Sequence, residues 1–284
     1  TGAAGAPVEP LIAGIKVRVA TFNIRTGNAD QGTKNAWDKR KALLFDVFKD
    51  LDADFIGVQE ARLFQLQEID QAAPGYDRIG EGRDGGNEGE FSAIYYRKDR
   101  FEVKDKETFW LSATPGKPSK SWDDDYNRVV TWGRFQEKAS GYQLYHFNTH
   151  WGLTSNSAEK SAALLTKRVS QRPTGHPFFV TGDLNTGENE LPVRFLKGNA
   201  KIDGQDNPVP MRDTFRVLYP DATDVRTAHG FNGGTSGAKI DFVFIGLPAP
   251  DVTGAQIVRT HKGDQYPSDH YPVVAGVKLP DQTK

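Results

Sequence analysis

Residues 178–185, Phe178-Phe179-Val180-Thr181-Gly182-Asp183-Leu184-Asn185, begin as an apolar run and end on an acid and an amide. The run reads as a buried strand over about 178–182, and a lone Asp placed after a strand reads as an Asx turn or a helix cap. The same arrangement recurs along the chain, and that changes its meaning. A strand over Lys16 to Phe22 is followed by Asn23, and the apolar run Asp54 to Val58 by Gln59-Glu60. A strand over about 142–149 carries Asn148 and leads to His150. Asp241 interrupts the run Ile240 to Ile245, and Asp269-His270 stands just before the strand Val273 to Val277. Sheets that bring such strand ends together gather these polar groups in one cleft on rigid supports.

Helices alternate with these strands. Trp37, Leu44, Val47, Phe48 and Leu51 fall on one face of a helix over about 35–51. Leu63, Leu66 and Ile69 mark a short helix, with further strands at Phe91 to Tyr96, 107–112 and 129–135. A helix starting near Asn156, with Glu159 three residues on in a capping-box pattern, buries Ala158, Ala162, Leu165 and Val169. Leu191 to Leu196 is a short helix stopped by Gly198. The strands outnumber what one parallel sheet between helices needs. The expected class is α+β, a four-layer α/β sandwich of two packed mixed β-sheets flanked by helices. Residues 1–14 read as a flexible leader and 15–284 as a single domain.

The chain has 284 residues, with 36 Lys plus Arg against 37 Asp plus Glu, a net charge of -1. That excludes a globally basic nucleic-acid wrapper, although not a local basic cleft. With 37% hydrophobic and 11% aromatic residues a sizeable core can form. The basic clusters Lys39-Arg40-Lys41 and Lys167-Arg168 read as solvated outer faces of helices. No cysteine is present, so a disulfide, a thiolate metal site and a cysteine nucleophile are excluded. Any metal must sit on oxygen or imidazole, which favours a hard ion such as Mg²⁺. No apolar run of about 18 residues is present to span a membrane. The small-residue start, Thr1-Gly2-Ala3-Ala4-Gly5-Ala6-Pro7, suggests the remnant of a cleaved signal peptide and a secreted or periplasmic protein, expected to be monomeric.

Glu60, Asp183, Asp241 and Asp269, with the amides Asn23 and Asn185, are hard oxygen donors. Of the six histidines, His146 reads as packed or at an edge, His176 as a loop residue, and His229 and His261 as solvent-facing. His150 and His270 differ, because each has polar neighbours at the end of an apolar run, and an imidazole can exchange a proton near neutral pH. Trp151, directly after His150, is the best candidate for a ring facing the substrate.

These stretches carry a resemblance. Ala20-Thr21-Phe22-Asn23-Ile24-Arg25-Thr26, Gly57-Val58-Gln59-Glu60, Asn148-Thr149-His150, Thr181-Gly182-Asp183-Leu184-Asn185, Lys239-Ile240-Asp241-Phe242 and Ser268-Asp269-His270-Tyr271-Pro272 resemble, in order and spacing, the endonuclease/exonuclease/phosphatase superfamily. The resemblance implies two sheets packed face to face between helical layers and the hydrolysis of a phosphoester with Mg²⁺ or Mn²⁺. It implies metal ligation by Glu60, with Asn23 and Asp269 nearby, and orientation of water and phosphate by Asp183 and Asn185. It further implies two imidazoles flanking the phosphate, His270 oriented by Asp241, and His150. Which imidazole is acid and which is base stays open.

Glu90 stands where the deoxyribonuclease branch pairs a Glu with the first catalytic His, here His150, and Arg128 resembles that branch's phosphate-contacting Arg. Arg25 follows Asn23 as it does there. Glu88 replaces that branch's Tyr, and the aromatic segment from Phe109 to Trp122 is closer to bacterial relatives of the deadenylase branch. The substrate (nucleic acid, phospholipid or sugar phosphate) is therefore not transferred. A catalytically silent phosphate- or glycan-binding module on the same fold is the alternative reading.

Overall fold

Two βαβ units organise the chain, whose structure, a computed structural model, describes residues 11–246 and 250–283. The first half runs β1 (Leu11–Ile12), β2 (Lys16–Asn23), α1 (Trp37–Asp50), β3 (Phe55–Ala61), α2 (Leu63–Ala72), β4 (Tyr76–Ile79), β5 (Phe91–Arg97) and β6 (Phe101–Trp110). The second continues with β7 (Val129–Glu137), β8 (Gln143–His150), α3 (Ser155–Ser170), β9 (Phe178–Asp183), α4 (Leu191–Leu196), β10 (Met211–Asp213) and α5 (Thr214–Leu218). It closes with β11 (Asp241–Gly246), β12 (Asp251–Ile257), β13 (Val273–Lys278) and β14 (Gln282–Thr283).

One sheet has the order β10-β11-β9-β8-β7-β6 and the other β12-β13-β2-β3-β5-β4. Each holds one parallel pair, β8 with β9 and β2 with β3, among antiparallel neighbours. Parallel neighbours need a crossover, here α3 and α1, and each helix covers the outer face of its own sheet. Val19, Phe55, Phe135, Phe179 and Val243 fill the space between the sheets. Ala158, Ala162, Leu165 and Val169 of α3 bury against one outer face, and Leu44, Val47 and Phe48 of α1 against the other. The four-layer sandwich is thus realised, with apolar periodicity deciding each helix's buried side.

Several local features differ from expectation. α3 starts earlier than the Asn156 pattern indicates, because the Thr154 side chain accepts from Ser157 N at 3.1 Å and caps it. The leader reading fails for residues 11–14: Leu11–Ile12 pair with Gln282–Thr283, and Gly14 N donates to Asp281. Its residues 1–10 lie outside the described residues. His229 is buried, stacked on Tyr271 at 4.0 Å, rather than solvent-facing. No helix among the described residues is long and apolar enough to cross a membrane.

Polar groups also bridge the two sheets. Asn148 on β8 donates to Val58 O and Ala93 O of the opposite sheet, and its Oδ1 accepts from Gln59 Nε2 at 2.7 Å and Thr181 Oγ1 at 2.9 Å. Thr181 also meets His146, whose pKa burial lowers to about 3, a packed neutral histidine. Gly57 makes this approach possible, since a Cβ there would lie 2.2 Å from Thr181 Oγ1 and 2.4 Å from Asn148 Oδ1. Gly57→Ala is therefore expected to destabilise the fold by about 1–3 kcal/mol through overpacking. A lowered denaturant midpoint checks this, and an unchanged midpoint refutes it.

Candidate active site

Both parallel pairs run in the same sense, so β2, β3, β8 and β9 all end on one side, and ligand crevices form outside such carboxyl ends. Asn23, Glu60, His150 and Asp183 stand at these ends. In one sheet the ladder pairs His150 with Asp183 and Asp183 with Asp241, placing three candidate residues in one cross-strand row. In the other, the β3–β5 register shifts between Val58 and Ala61. Glu60 takes a φ of 63° at this bulge, an unusual left-handed conformation that re-aims the carboxylate.

Asn23 joins the two sheets at the site. Its Nδ2 donates to Glu60 Oε1 and to Asp183 Oδ2, both at 2.9 Å, while Thr26 N donates to Glu60 Oε2 at 3.0 Å. Asp183 Oδ1 accepts from Asn185 N at 2.9 Å, so the Asx turn is present and functional geometry is built on it. Asn185, at φ 50°, donates from Nδ2 to Trp151 O and to His150 Nε2. His150 Nε2 is thereby an acceptor and the ring is neutral, with its proton on Nδ1. Burial lowers the His150 pKa well below 6.5, and Arg128, His270 and Arg83 lower it further.

His270 is the opposite case. Its Nδ1 donates to Asp241 Oδ2 at 2.9 Å, and its Nε2 lies 3.8 Å from Asp183 Oδ2. Burial works against its charge, yet the Asp241 and Asp183 carboxylates outweigh burial and raise the pKa well above 6.5. Asp183, 1% exposed, is pushed up to about 7 by burial and by the charge of Asp241. Asp269 is raised as well, first by burial.

A divalent cation fits this cluster. Ligand atoms of Glu60, His150 and Asp183 lie within 4.8 Å of one another, as do those of Asp183, Asp241 and His270. Asp241 Oδ2 meets His270, while its Oδ1 is buried with no hydrogen-bond partner and keeps an acceptor free in the cluster. The donors are mainly hard oxygens, the set that suits Mg²⁺ or Mn²⁺.

Residues 20–270 match the profile of the Endonuclease/Exonuclease/phosphatase family. The chain belongs to this family. A family structure from Bacteroides vulgatus is 31% identical over 93% of this chain and 99% of that one, with a TM-score of 0.82. A Bacteroides thetaiotaomicron protein described as a mannosyl-6-phosphatase is 29% identical, covering 92% and 99%, with a TM-score of 0.81. An uncharacterized protein of Acanthamoeba polyphaga mimivirus is 26% identical over 172 residues, and the match spans 64% of its length. Family members are generally phosphoester hydrolases, and these residues give this member groups able to bind a divalent metal.

The site also corrects particular expectations. Trp151 is fully buried in the core under α3, because its main-chain N–H donates to Asp183 O and extends the ladder by one residue. Alternation then turns its ring away from the side His150 faces. Glu90 pairs with Arg83 at 2.7 Å, and among the described residues it makes no hydrogen bond to His150, whose imidazole is held by Asn185 instead. Arg25 is engaged by Asp30 at 3.0 Å and lies 3.6 Å from Asp269, so it neutralises the acidic end of the site. Arg128 is buried beside Asp124, with Nε 3.7 Å from its carboxylate.

Arg40, expected on a solvated helix face, is 1% exposed. Its guanidinium donates to the carbonyls of Ile24, Arg25, Asn35 and Pro267, pinning the segments that flank Asn23 and Asp269. Burial lowers its pKa to about 10. Arg40→Met strands these carbonyls, with an expected loss of about 3 kcal/mol or more. The measurement is the melting temperature, expected to fall on the order of 10 °C; an unaltered melt contradicts the role. Sequence reading also missed Arg83, although an arginine inside the glycine-rich turn just before a site strand is a visible signal.

Proposed function

We propose that the protein hydrolyses phosphoesters by attack of water, with Mg²⁺ or Mn²⁺ at the acidic end of the cleft. The observation that carries this reading is the convergence of Glu60, Asp183, His150 and the His270–Asp241 pair on the ends of strands from both sheets. Glu60, with Asn23 and Asp269, would hold the cation, and a bound cation would supply charge stabilisation to the phosphoryl oxygens. Asp183, with its carboxyl raised to about 7, takes the proton of the attacking water, and Asn185 orients that water. His270 stays protonated against Asp241 and holds its positive charge toward the phosphoryl oxygens, a preorganised electrostatic contribution. As the water oxygen bonds to phosphorus, the P–O bond to the alcohol breaks. His150, neutral with its proton on Nδ1, hydrogen-bonds the departing oxygen, and the alcohol leaves with a proton drawn from solvent.

The likeness to a protein described as a mannosyl-6-phosphatase, at 29% identity over nearly the whole chain, favours sugar phosphates among the candidate substrates. The test is purified protein with Mg²⁺ against sugar phosphates, plasmid DNA, single-stranded RNA, sphingomyelin and phosphoinositides. Release of phosphate from a sugar phosphate is the expected outcome. Inertness toward the whole panel refutes the hydrolase reading.

A further inference from the structure

Arg83 and Glu90 take no part in the chemistry above, yet both stand beside it. The register row of His150, Asp183 and Asp241 continues in the other direction: one step beyond Val130–Thr149, Val129 lies beside His150, and Val129 pairs with Trp110. Trp110 Nε1 donates to the main-chain oxygen of Arg83 at 2.7 Å. The 81–90 turn, which leads into β5 of the opposite sheet, is thus fastened to this row two strands, or about 10 Å, from His150.

The side chain is fixed as well. Arg83 Nη1 donates to Glu90 Oε2 at 2.7 Å, and its guanidinium lies 4.6 Å from the centre of the Tyr126 ring. Arg128 lies 5.7 Å from the same ring, which is 52% exposed and covers both cations. Arg83 spends one N–H on Glu90, and its Nε is buried without a partner. Arg128, 5% exposed, makes no side-chain hydrogen bond among the described residues. Both guanidinium charges act on His150, whose pKa they lower further after burial, and their forks keep several donors for an anion. Around them Asp84, Glu88, Asp123 and Asp125 are exposed, with a cation among them, Lys120, whose Nζ donates to the Asp125 carbonyl.

We propose that Arg83, working with Arg128, selects phosphomonoesters by binding the third non-bridging oxygen, which a phosphodiester lacks. A monoester carries nearly two negative charges near neutral pH and presents three acceptor oxygens. A diester carries one charge and presents two such oxygens, leaving a second fork without a partner. The exposed acids of this segment outnumber Lys120 and disfavour a polyanion, so a single terminal phosphate on a neutral alcohol fits better than a polynucleotide. This inference rests on the hydrolase reading of the same site.

The experiment compares wild type, Arg83→Gln and Arg83→Lys on p-nitrophenyl phosphate and bis-p-nitrophenyl phosphate with Mg²⁺, together with calorimetric binding of inorganic phosphate. Wild type is expected to prefer the monoester. Arg83→Gln should lower kcat/KM for the monoester by about 10–100-fold, mainly through KM, and weaken phosphate binding in parallel. The diester should change far less, and Arg83→Lys should recover part of the loss. Equal losses on both esters, unchanged phosphate affinity, or a wild-type preference for the diester overturns the proposal. If Arg83→Gln does not fold, Arg83→Lys decides, because it keeps the charge and loses the fork: intact monoester preference and phosphate affinity then overturn it. Where wild type hydrolyses neither ester, the substrate panel above decides the hydrolase reading and phosphate calorimetry decides the role of Arg83.

Discussion

His270→Ala is expected to lower turnover at least about 100-fold, the lower end of what a positioned acid–base or charged group contributes. The effect should appear in kcat, because the imidazolium faces charge that grows as the phosphoryl group transfers. His270 and Asp241 form one unit through the 2.9 Å bond from Nδ1 to Oδ2, so their losses should not add. Asp241→Asn alone should cost less than His270→Ala, and the double variant no more than His270→Ala. A melting curve separates this from a folding defect, since removing the imidazole leaves the buried Asp241 without its counter-charge. Full activity in a folded His270→Ala protein removes His270 from the mechanism.

What was legible in the sequence follows from one physical pattern. Asn23, Glu60, His150 and Asp183 each end or follow a run that must be buried, and a polar group at a buried strand's end needs a reason. Apolar spacing also placed α1 and α3, whose inner faces are those the structure buries. Trp151 was misread although the information was present: if His150 faces the cleft from an extended strand, the next side chain faces away. Arg40 and His229 were misread for a different reason. Their partners, the Pro267 carbonyl and the Tyr271 ring, come from distant segments, and a local run of basic residues or glycines carries no sign of them. The partner of Glu90 lies only seven residues away, but which cation or imidazole it meets depends on how the 81–90 turn folds back. β4 and β12 were missed because Tyr76–Ile79 and Asp251–Ile257 are short or interrupted and mostly half-exposed, so their pattern is weak.

The metal should be visible without any substrate. Glu60, Asp183, Asp241 and Asp269 stand at one end of the sandwich, and burial first, then the neighbouring acids, raises the carboxyls of Asp183 and Asp269. A divalent cation that binds only the folded state stabilises it by mass action, about 2.7 kcal/mol at a hundredfold excess over Kd. Mg²⁺ or Mn²⁺ should therefore raise the melting temperature of wild type, and EDTA should reverse the rise while abolishing hydrolysis. In Glu60→Gln the side chain keeps its size and its one oxygen can still accept from Asn23 or from Thr26, but it loses the charge that attracts the ion. The metal-induced stabilisation should then vanish and turnover fall by about 100-fold or more, because the ion contributes several kcal/mol of charge stabilisation. Hydrolysis that survives chelation would show that the acids serve some other purpose. A metal-induced rise that persists in Glu60→Gln would instead shift ligation to the Asp183–Asp241–His270 group, which offers the second set of converging donor atoms.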